Sequence, residues 1–508
     1  MPGNPSNPKL KFEMNLGTSP RPQPRRRDES SPLGILILGN FAGHSSGTRQ
    51  HPVAQRRAMA VDSDNFEAVL AGIAPTLRVQ ISSGPNQPTQ EVDLQFASIE
   101  DFHPDAVVGR VPRLRFLSEQ RRRLLDPKTA EAAAQELAAS LSAPATDAPP
   151  APSETASAPA SKPESTEDTL ARLLGGAPRP ASTAAAKPQG FEGFIKQLVS
   201  SSAVPTATSQ QKAVLSLAEL ELTTGLRAVL HDAAFQSLEA AWRGVDRLVR
   251  LFGGEEDVKL YVADIDQDEL PSGVQEGAGL AQFIRRATDE HELAVCLGLY
   301  TFGPDLRQLG SLERLLESTA AAGLLLLSAA SPALLGCDSI ESQPAPEDWR
   351  TKLPADVAEA WQALRAHAEA NSLGLALPQF LLRQPYGRQG DVIESFPFEE
   401  LPASGAHGCY LWGNPALACG QLIAEAFLVE SWQMQLTGYG EVGDIPVHRF
   451  TSDEGKQVKP CAEAWLSERA GEAMLEQGFI PILSVKGRDS VLVPRLQSVT
   501  GAVLGLPD

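Results

Sequence analysis

Cysteine is scarce in this 508-residue sequence: Cys296, Cys337, Cys409, Cys419 and Cys461 are widely spaced and include no CxxC pair. That excludes a zinc ribbon and a disulfide framework, and it reads as a chain kept in a reducing compartment. Positive charge is also short, with 44 Lys and Arg against 63 Asp and Glu and a formal net charge of −19. A field of that sign repels phosphates and anionic headgroups, so no nucleic-acid partner is expected. Long apolar runs are missing. The most apolar window, 320–336, is broken by Pro332 and falls short of the roughly 20 residues of a membrane-spanning helix, so it reads as buried core and no membrane insertion is expected. Residues 1–32 are polar, rich in Pro and Arg, and lack the apolar run of a secretory signal. A cytoplasmic location follows.

Chemical motifs are equally thin. The phosphate-cradling G-x-x-x-x-G-K-[ST] loop, H-E-x-x-H and EF-hand patterns do not occur, and no cofactor and no metal are expected. His231 adjoins a helical stripe and His448 a strand, and each reads as a packed or solvated histidine. Paired acids such as Glu399 and Glu400 read as a solvated face. One enzyme pattern is present: Gly43-His-Ser-Ser-Gly47 fits the G-x-S-x-G elbow, with Ser45 as the nucleophile of an alternative hydrolase reading. The residues after it, Thr48-Arg-Gln-His-Pro52, carry no helical period, which argues against the elbow and against catalysis.

Proline and glycine, 40 and 41 residues, are in good supply, and from about Leu141 to Gly190 the chain is nearly all Ala, Pro, Ser, Thr, Glu and Lys. Such a composition buries too little apolar surface to offset chain entropy, so 141–190 is expected to be a disordered linker. Ahead of it, Gly34–Leu38, Leu77–Ile81 and Val92–Phe96 read as strands with one buried face. Ser63 heads a short helix through Leu70, and Val107–Ala139 reads as a long helical stretch interrupted near Pro112 and Pro127. This predicts a small α+β domain. Behind the linker, Phe235, Leu238, Trp242, Val245, Val249 and Phe252 form one apolar helical stripe. Strand-like runs at Val258–Val262, Leu293–Tyr300 and Leu324–Ala330 alternate with helix-like stretches at 280–287 and 306–322, which predicts a larger layered α/β domain. Further helices are expected over 355–370 and 416–435, and a β-hairpin over 479–496 around Gly487-Arg-Asp489.

Several stretches resemble the contractile sheath proteins of the bacterial type VI secretion system. Leu36-Ile-Leu-Gly-Asn-Phe-Ala-Gly43, Val61-Asp-Ser-Asp-Asn-Phe66, and above all Ile99-Glu-Asp-Phe-His-Pro-Asp-Ala106 with Val111-Pro-Arg-Leu114 resemble the small sheath subunit (TssB, or VipA). Leu230-His-Asp-Ala-Ala-Phe-Gln-Ser-Leu-Glu-Ala-Ala-Trp-Arg-Gly244 resembles a signature helix of the large subunit (TssC, or VipB). Tyr300-Thr-Phe-Gly303, Leu377-Pro-Gln-Phe-Leu381, Pro385-Tyr-Gly387, Phe396-Pro-Phe398, Tyr410-Leu-Trp-Gly-Asn414 and Gly478-Phe-Ile-Pro481 follow in that family's order.

The resemblance implies a fused sheath protein without enzymatic activity: an N-terminal arm over 1–32, a TssB/VipA-like domain over 33–140, the linker, and a TssC/VipB-like domain over 191–508. It implies either a structural component of the contractile sheath or a sheath-like accessory. The implied partners are other sheath subunits, the inner tube protein Hcp, the baseplate and the ClpV-type unfoldase. Full-length large subunits continue beyond the block matching Phe479–Gln497, so the family's C-terminal region is expected to be missing and unaided tube formation is not expected. The run Lys9–Leu16, with Phe12 and Met14, is expected to keep an exchange strand. The apolar island with Leu170, Leu173 and Leu174 stands where the family's unfoldase-recognised helix stands.

Overall fold

A computed structural model describes residues 30–43, 51–82, 89–142, 207–271, 277–388, 390–402, 407–436, 438, 440–452 and 455–506. Most of the arm, Ser45, the linker and its island therefore lie outside the described residues, as do Phe12, Met14, Leu170, Leu173 and Leu174. The chain divides into two units, one of Met1–Glu119 with Glu219–Asp508 and the other of Gln120–Ala218.

In chain order the N-terminal segment supplies β1 (Leu33–Gly39), β2 (Met59–Val61), α1 (Phe66–Ile73), β3 (Thr76–Ser82), β4 (Thr89–Gln95), α2 (Pro104–Arg110), α3 (Pro112–Leu125) and α4 (Ala130–Ser142). The breaks expected near Pro112 and Pro127 are the joints between these last three helices. The short helix starts differently from expectation. Asn65, not Ser63, is its N-cap residue, and the Asp62 carboxylate accepts from the Asp64 and Asn65 N–H groups at 3.0 and 2.9 Å. Within the smaller unit the Arg123 guanidinium grips the Glu136 carboxylate at 2.5 and 3.0 Å, and the Thr129 hydroxyl donates to the Arg123 carbonyl at 2.7 Å. Those bonds turn the chain into α4.

The C-terminal segment continues with α5 (Ala207–Leu230), α6 (Ala233–Phe252), β5 (Val258–Asp264), α7 (Ala278–His291), β6 (Leu293–Phe302), α8 (Leu306–Ala321), β7 (Leu325–Ala330), α9 (Ala355–Arg365), β8 (Leu373–Leu377), β9 (Phe380–Leu381), β10 (Trp412–Gly413) and α10 (Ala416–Glu430). It ends with β11 (Gly440–Val442), β12 (Arg449–Ser452), β13 (Gly455–Val458), α11 (Glu468–Glu476), β14 (Ile480–Pro481), β15 (Leu483–Ser484) and β16 (Val491–Val493). Helices α9 and α10 stop earlier than the apolar periodicity suggests. Strands alternate with helices as expected for an α/β layer structure, and the N-terminal hairpin and helices add an α+β part.

The main sheet has seven strands in the order β14-β8-β7-β6-β1-β5-β2. All neighbours are parallel except β2, which runs antiparallel to β5 at the edge. Thus β1 lies between two strands of the C-terminal segment, pairing Ile35 with Leu260 on one side and Val295 on the other. The expectation of one buried face fails here. All seven residues of β1 are buried, because a central strand of a parallel sheet is covered on both faces. Alternation does hold in the β3–β4 hairpin, where Leu77, Val79, Ile81, Val92 and Leu94 are buried and the residues between them face out.

Successive strand residues point to opposite faces, and the helices divide accordingly. On one face Leu36, Leu38, Cys296, Leu326 and Leu375 share a core with Phe283 of α7, Leu312 of α8 and Trp361 of α9. On the other, α10 lies so close to β6 that a side chain at Gly420 would meet Leu297 at 2.6 Å. The expected hairpin over 479–496 is only half present. Leu483–Ser484 pairs with Val491–Val493, but Ile480 and Pro481 join the main sheet beside Ala376 and Leu377. Pro481 tolerates that place because the strand is at the edge.

Candidate functional site: the joint between the N-terminal and C-terminal segments

The joint begins where β1 ends. One oxygen of the Asp264 carboxylate accepts both the Phe41 and the Ala42 N–H groups, at 2.8 and 2.9 Å. The Trp242 indole N–H donates to the Phe41 carbonyl at 3.0 Å, with the two rings edge to face at 5.2 Å. The chain then bends at Gly43, whose φ of +71° puts a would-be Cβ 2.7 Å from the Thr76 carbonyl. Glycine is the residue that fits there. Further along, Arg56 donates to the Asp264 carbonyl at 2.8 Å and pairs with Glu269 at 2.5 Å, while Arg286 of α7 donates to the Ala54 carbonyl at 2.7 Å and to that of Arg56.

A second contact gathers around α2. Phe96 and Phe102 stack at 4.2 Å, and Phe235 of α6 meets both edge-on at 6.0 and 5.8 Å. Asp105, in the first turn of α2, accepts the Glu394 and Ser395 N–H groups at 2.9 and 3.0 Å and the Ser395 hydroxyl. Burial opposes its charge, but these bonds overcome that penalty and hold the carboxyl below its usual range.

Beneath this contact lies a buried ion cluster. The fully buried Glu239 carboxylate accepts from Arg243 at 2.7 Å and from Arg383 at 2.8 Å. Arg383 also holds the fully buried Glu400 through two bonds of 2.7 and 2.9 Å, and Glu400 accepts the Tyr386 N–H at 2.7 Å. The Arg383 guanidinium lies 4.3 Å from the centre of the Tyr386 ring, and that ring meets His103, the N-cap residue of α2, edge-on at 5.1 Å. Burial penalises Glu239, yet Arg383 and Arg243 outweigh it and keep the carboxyl low; burial pushes the Tyr386 hydroxyl up to about 12. His231 sits 3.8 Å from Glu400, and burial lowers its pKa against the pull of that carboxylate. Reading Glu399 and Glu400 as a solvated face therefore needs correction: Glu400 is a core anion with an arginine fork on it.

The other expected site residues are not brought together. Phe12, Met14, Ser45, Leu170, Leu173 and Leu174 lie outside the described residues. His231 and His448 are packed, the latter accepting from or donating to the Tyr410 hydroxyl at 2.9 Å. Among the described residues, Glu313, Glu317 and His367 converge as metal ligands would, but Arg314 already pairs with both carboxylates, at 2.8 and 2.5 Å. All five cysteines are free thiols, Cys409 alone being only partly buried. Sequence reasoning missed Asp264, Arg383 and Glu400 as joint residues. Glu239 and Arg243 stood inside a quoted block, where their i, i+4 spacing was the available signal.

Two family models match the chain: VipB, described as EvpB/VC_A0108, tail sheath N-terminal domain, over residues 212–500, and the type VI secretion system family VipA, VC_A0107 or Hcp2, over residues 19–148. The type VI secretion system sheath protein TssC1 of Pseudomonas aeruginosa is 30% identical over 296 residues, which covers 55% of this chain and 59% of that protein. The sheath protein TssB1 of the same organism is 33% identical over 97 residues, covering 18% of this chain and 54% of that protein. The chain thus spans little more than half the length of each relative. Neither description names a catalytic activity, and nothing in them supports a hydrolase centred on Ser45.

Proposed function

Because this chain belongs to the VipB tail sheath family of type VI secretion and carries a VipA-type segment ahead of its VipB-type segment, we propose that it is a structural sheath component in which both subunit types act as one body. The observation that carries this reading is the insertion of β1, from the VipA-matching segment, between β5 and β6 of the VipB-matching segment. A sheath stores free energy in contacts between identical subunits, and heterologous contacts that do not close extend into a helical filament. Its work is a cooperative change between two packings, which calls for a stiff subunit and no catalytic residue. The buried joint supplies that stiffness.

The partners proposed are other sheath subunits, the inner tube protein Hcp, the baseplate and a ClpV-type unfoldase, and the location proposed is the cytoplasm. Among the described residues no helix is long and apolar enough to cross a membrane. Phe12 and Met14 are proposed to pair with a neighbouring subunit, and Leu170, Leu173 and Leu174 to meet the unfoldase. A labelled peptide spanning Glu167 to Gly176 should then bind the unfoldase's N-terminal domain saturably, and a flat titration removes that role.

Electron microscopy of the purified protein, alone and mixed with separately purified small and large sheath subunits, tests the main reading. Incorporation along tubes, or capping at their ends, supports it. A protein that neither assembles nor co-sediments with sheaths is not a sheath component.

A further inference from the structure

The order of the main sheet creates a topological switch point. From β1 the chain goes to one side, first to β2 at the edge and later to β5 between them, then crosses to β6 on the other side and continues outward through β7 and β8. In open parallel sheets the crevice outside the carboxyl ends of the strands at such a point is where ligands bind, because the connections leave there in opposite directions. This protein has a cleft of about 370 Å³ at that place. Its lining includes Asn40, just after β1, Asp266 and Gln267, after β5, and Thr301 at the end of β6. The volume lies near the lower end of the roughly 300–1,000 Å³ typical of small-molecule sites.

The chemistry of the lining narrows the ligand. It contains no lysine or arginine, so the phosphate-bearing ligands common at such switch points find no counter-charge. Its one charged residue, Asp266, already accepts from the Asn40 side chain and from the Asp268 N–H at 2.8 Å, which occupies part of its acceptor capacity. Strand-end carbonyls are also taken. Tyr300 accepts from Asn414 at 2.9 Å, Thr301 from Gln267 at 3.0 Å and Ile265 from the Tyr300 hydroxyl at 2.8 Å, so a peptide backbone would find few main-chain partners.

What remains is neutral and converges from separate elements. The Gln379 side-chain amide has no bond among the described residues, and Gln236 spends its N–H on the Gly408 carbonyl at 3.0 Å, leaving its oxygen available. The hydroxyls of Ser237 and Thr301 lie on exposed residues. Amides and hydroxyls each both donate and accept, as vicinal sugar hydroxyls do. Trp412 adds partly exposed aromatic surface beside them. We propose that this cleft binds a neutral saccharide of one or two rings. The site stands apart from the sheath reading and needs no part of it.

Isothermal titration of the full chain with cellobiose and with N,N′-diacetylchitobiose tests this, with AMP and L-argininamide as charged controls. At least one disaccharide should bind saturably, with a Kd on the order of 1 mM. Gln379→Ala should weaken that binding about fivefold, the size of one lost hydrogen bond, at an unchanged melting temperature. Thr301→Val, at an exposed position, provides a second variant with the same expected direction. The proposal is overturned if neither disaccharide saturates by tens of millimolar, if a charged control binds in their place, or if both variants bind as tightly as the parent.

Discussion

Strand β1 and the β3–β4 hairpin come from the same N-terminal segment, yet the chain uses them in opposite ways. β1 is buried throughout and owes every ladder bond to strands that lie more than 200 residues later in the sequence. The hairpin pairs only with itself in register from Thr76–Gln95 to Ser82–Thr89 and keeps one polar face outward. One element is core and the other is an attachment. The difference teaches that a segment matching a separate family model need not be a separable body, since its place in the sheet decides that.

The sharpest way to break the comparison is a charge in β1. Ile37→Asp buries a carboxylate with no partner at a fully buried position, which should cost more than about 4 kcal/mol and leave no folded protein by circular dichroism. Next comes the ion cluster under the joint. Arg383→Ala leaves the Glu239 and Glu400 carboxylates without their shared cation, and a loss of about 3–5 kcal/mol in urea unfolding is expected. Combining it with Glu239→Gln and Glu400→Gln should recover part of that loss, because the charges left behind are the main penalty. At the bend after β1, Gly43→Ala forces a methyl group toward the Thr76 carbonyl at positive φ, for about 1–2 kcal/mol.

Acid should act through the buried histidines. Burial lowers the pKa of both His231 and His448 in the folded chain. The unfolded chain then takes up protons first, so their contribution is present above about pH 6.5 and is lost as the pH falls below it. Asp105, also lowered, adds a further loss only below about pH 3.9. Melting temperatures from pH 8 to pH 5 should fall, and His231→Asn with His448→Asn should flatten that slope even if the starting stability differs. The smallest effect belongs to the hairpin. Arg78 reaches Asp93 at 2.9 Å across it with both side chains mostly exposed, and Arg78→Ala should leave the melting temperature unchanged within error.

Much of this architecture is legible from residue patterns, because apolar periodicity reports burial directly. The run Gly34-Ile-Leu-Ile-Leu38 marks β1, the stripe from Phe235 to Phe252 marks α6, and alternation marks β3 and β4. What periodicity does not carry is which strand lies beside which. Nothing in Ile35 announces Leu260 and Val295 as its neighbours, although a run apolar at every position already argues for two covered faces. The same limit hid the ion cluster. Glu400 reads as a surface acid until Arg383 is folded onto it, and pairing across 144 residues, as between Glu239 and Arg383, leaves no local trace.

The shared sheet is tested most directly by cutting the chain between the two family-matched segments. A protease site placed between residues 150 and 190, followed by complete cleavage and size-exclusion chromatography without denaturant, asks whether the covalent link is needed. If β1 is held between β5 and β6, the two fragments should co-elute at the position of the intact protein and separate only in urea. Fragments that elute apart in native buffer would contradict a common sheet and return the N-terminal segment to the status of an independent domain.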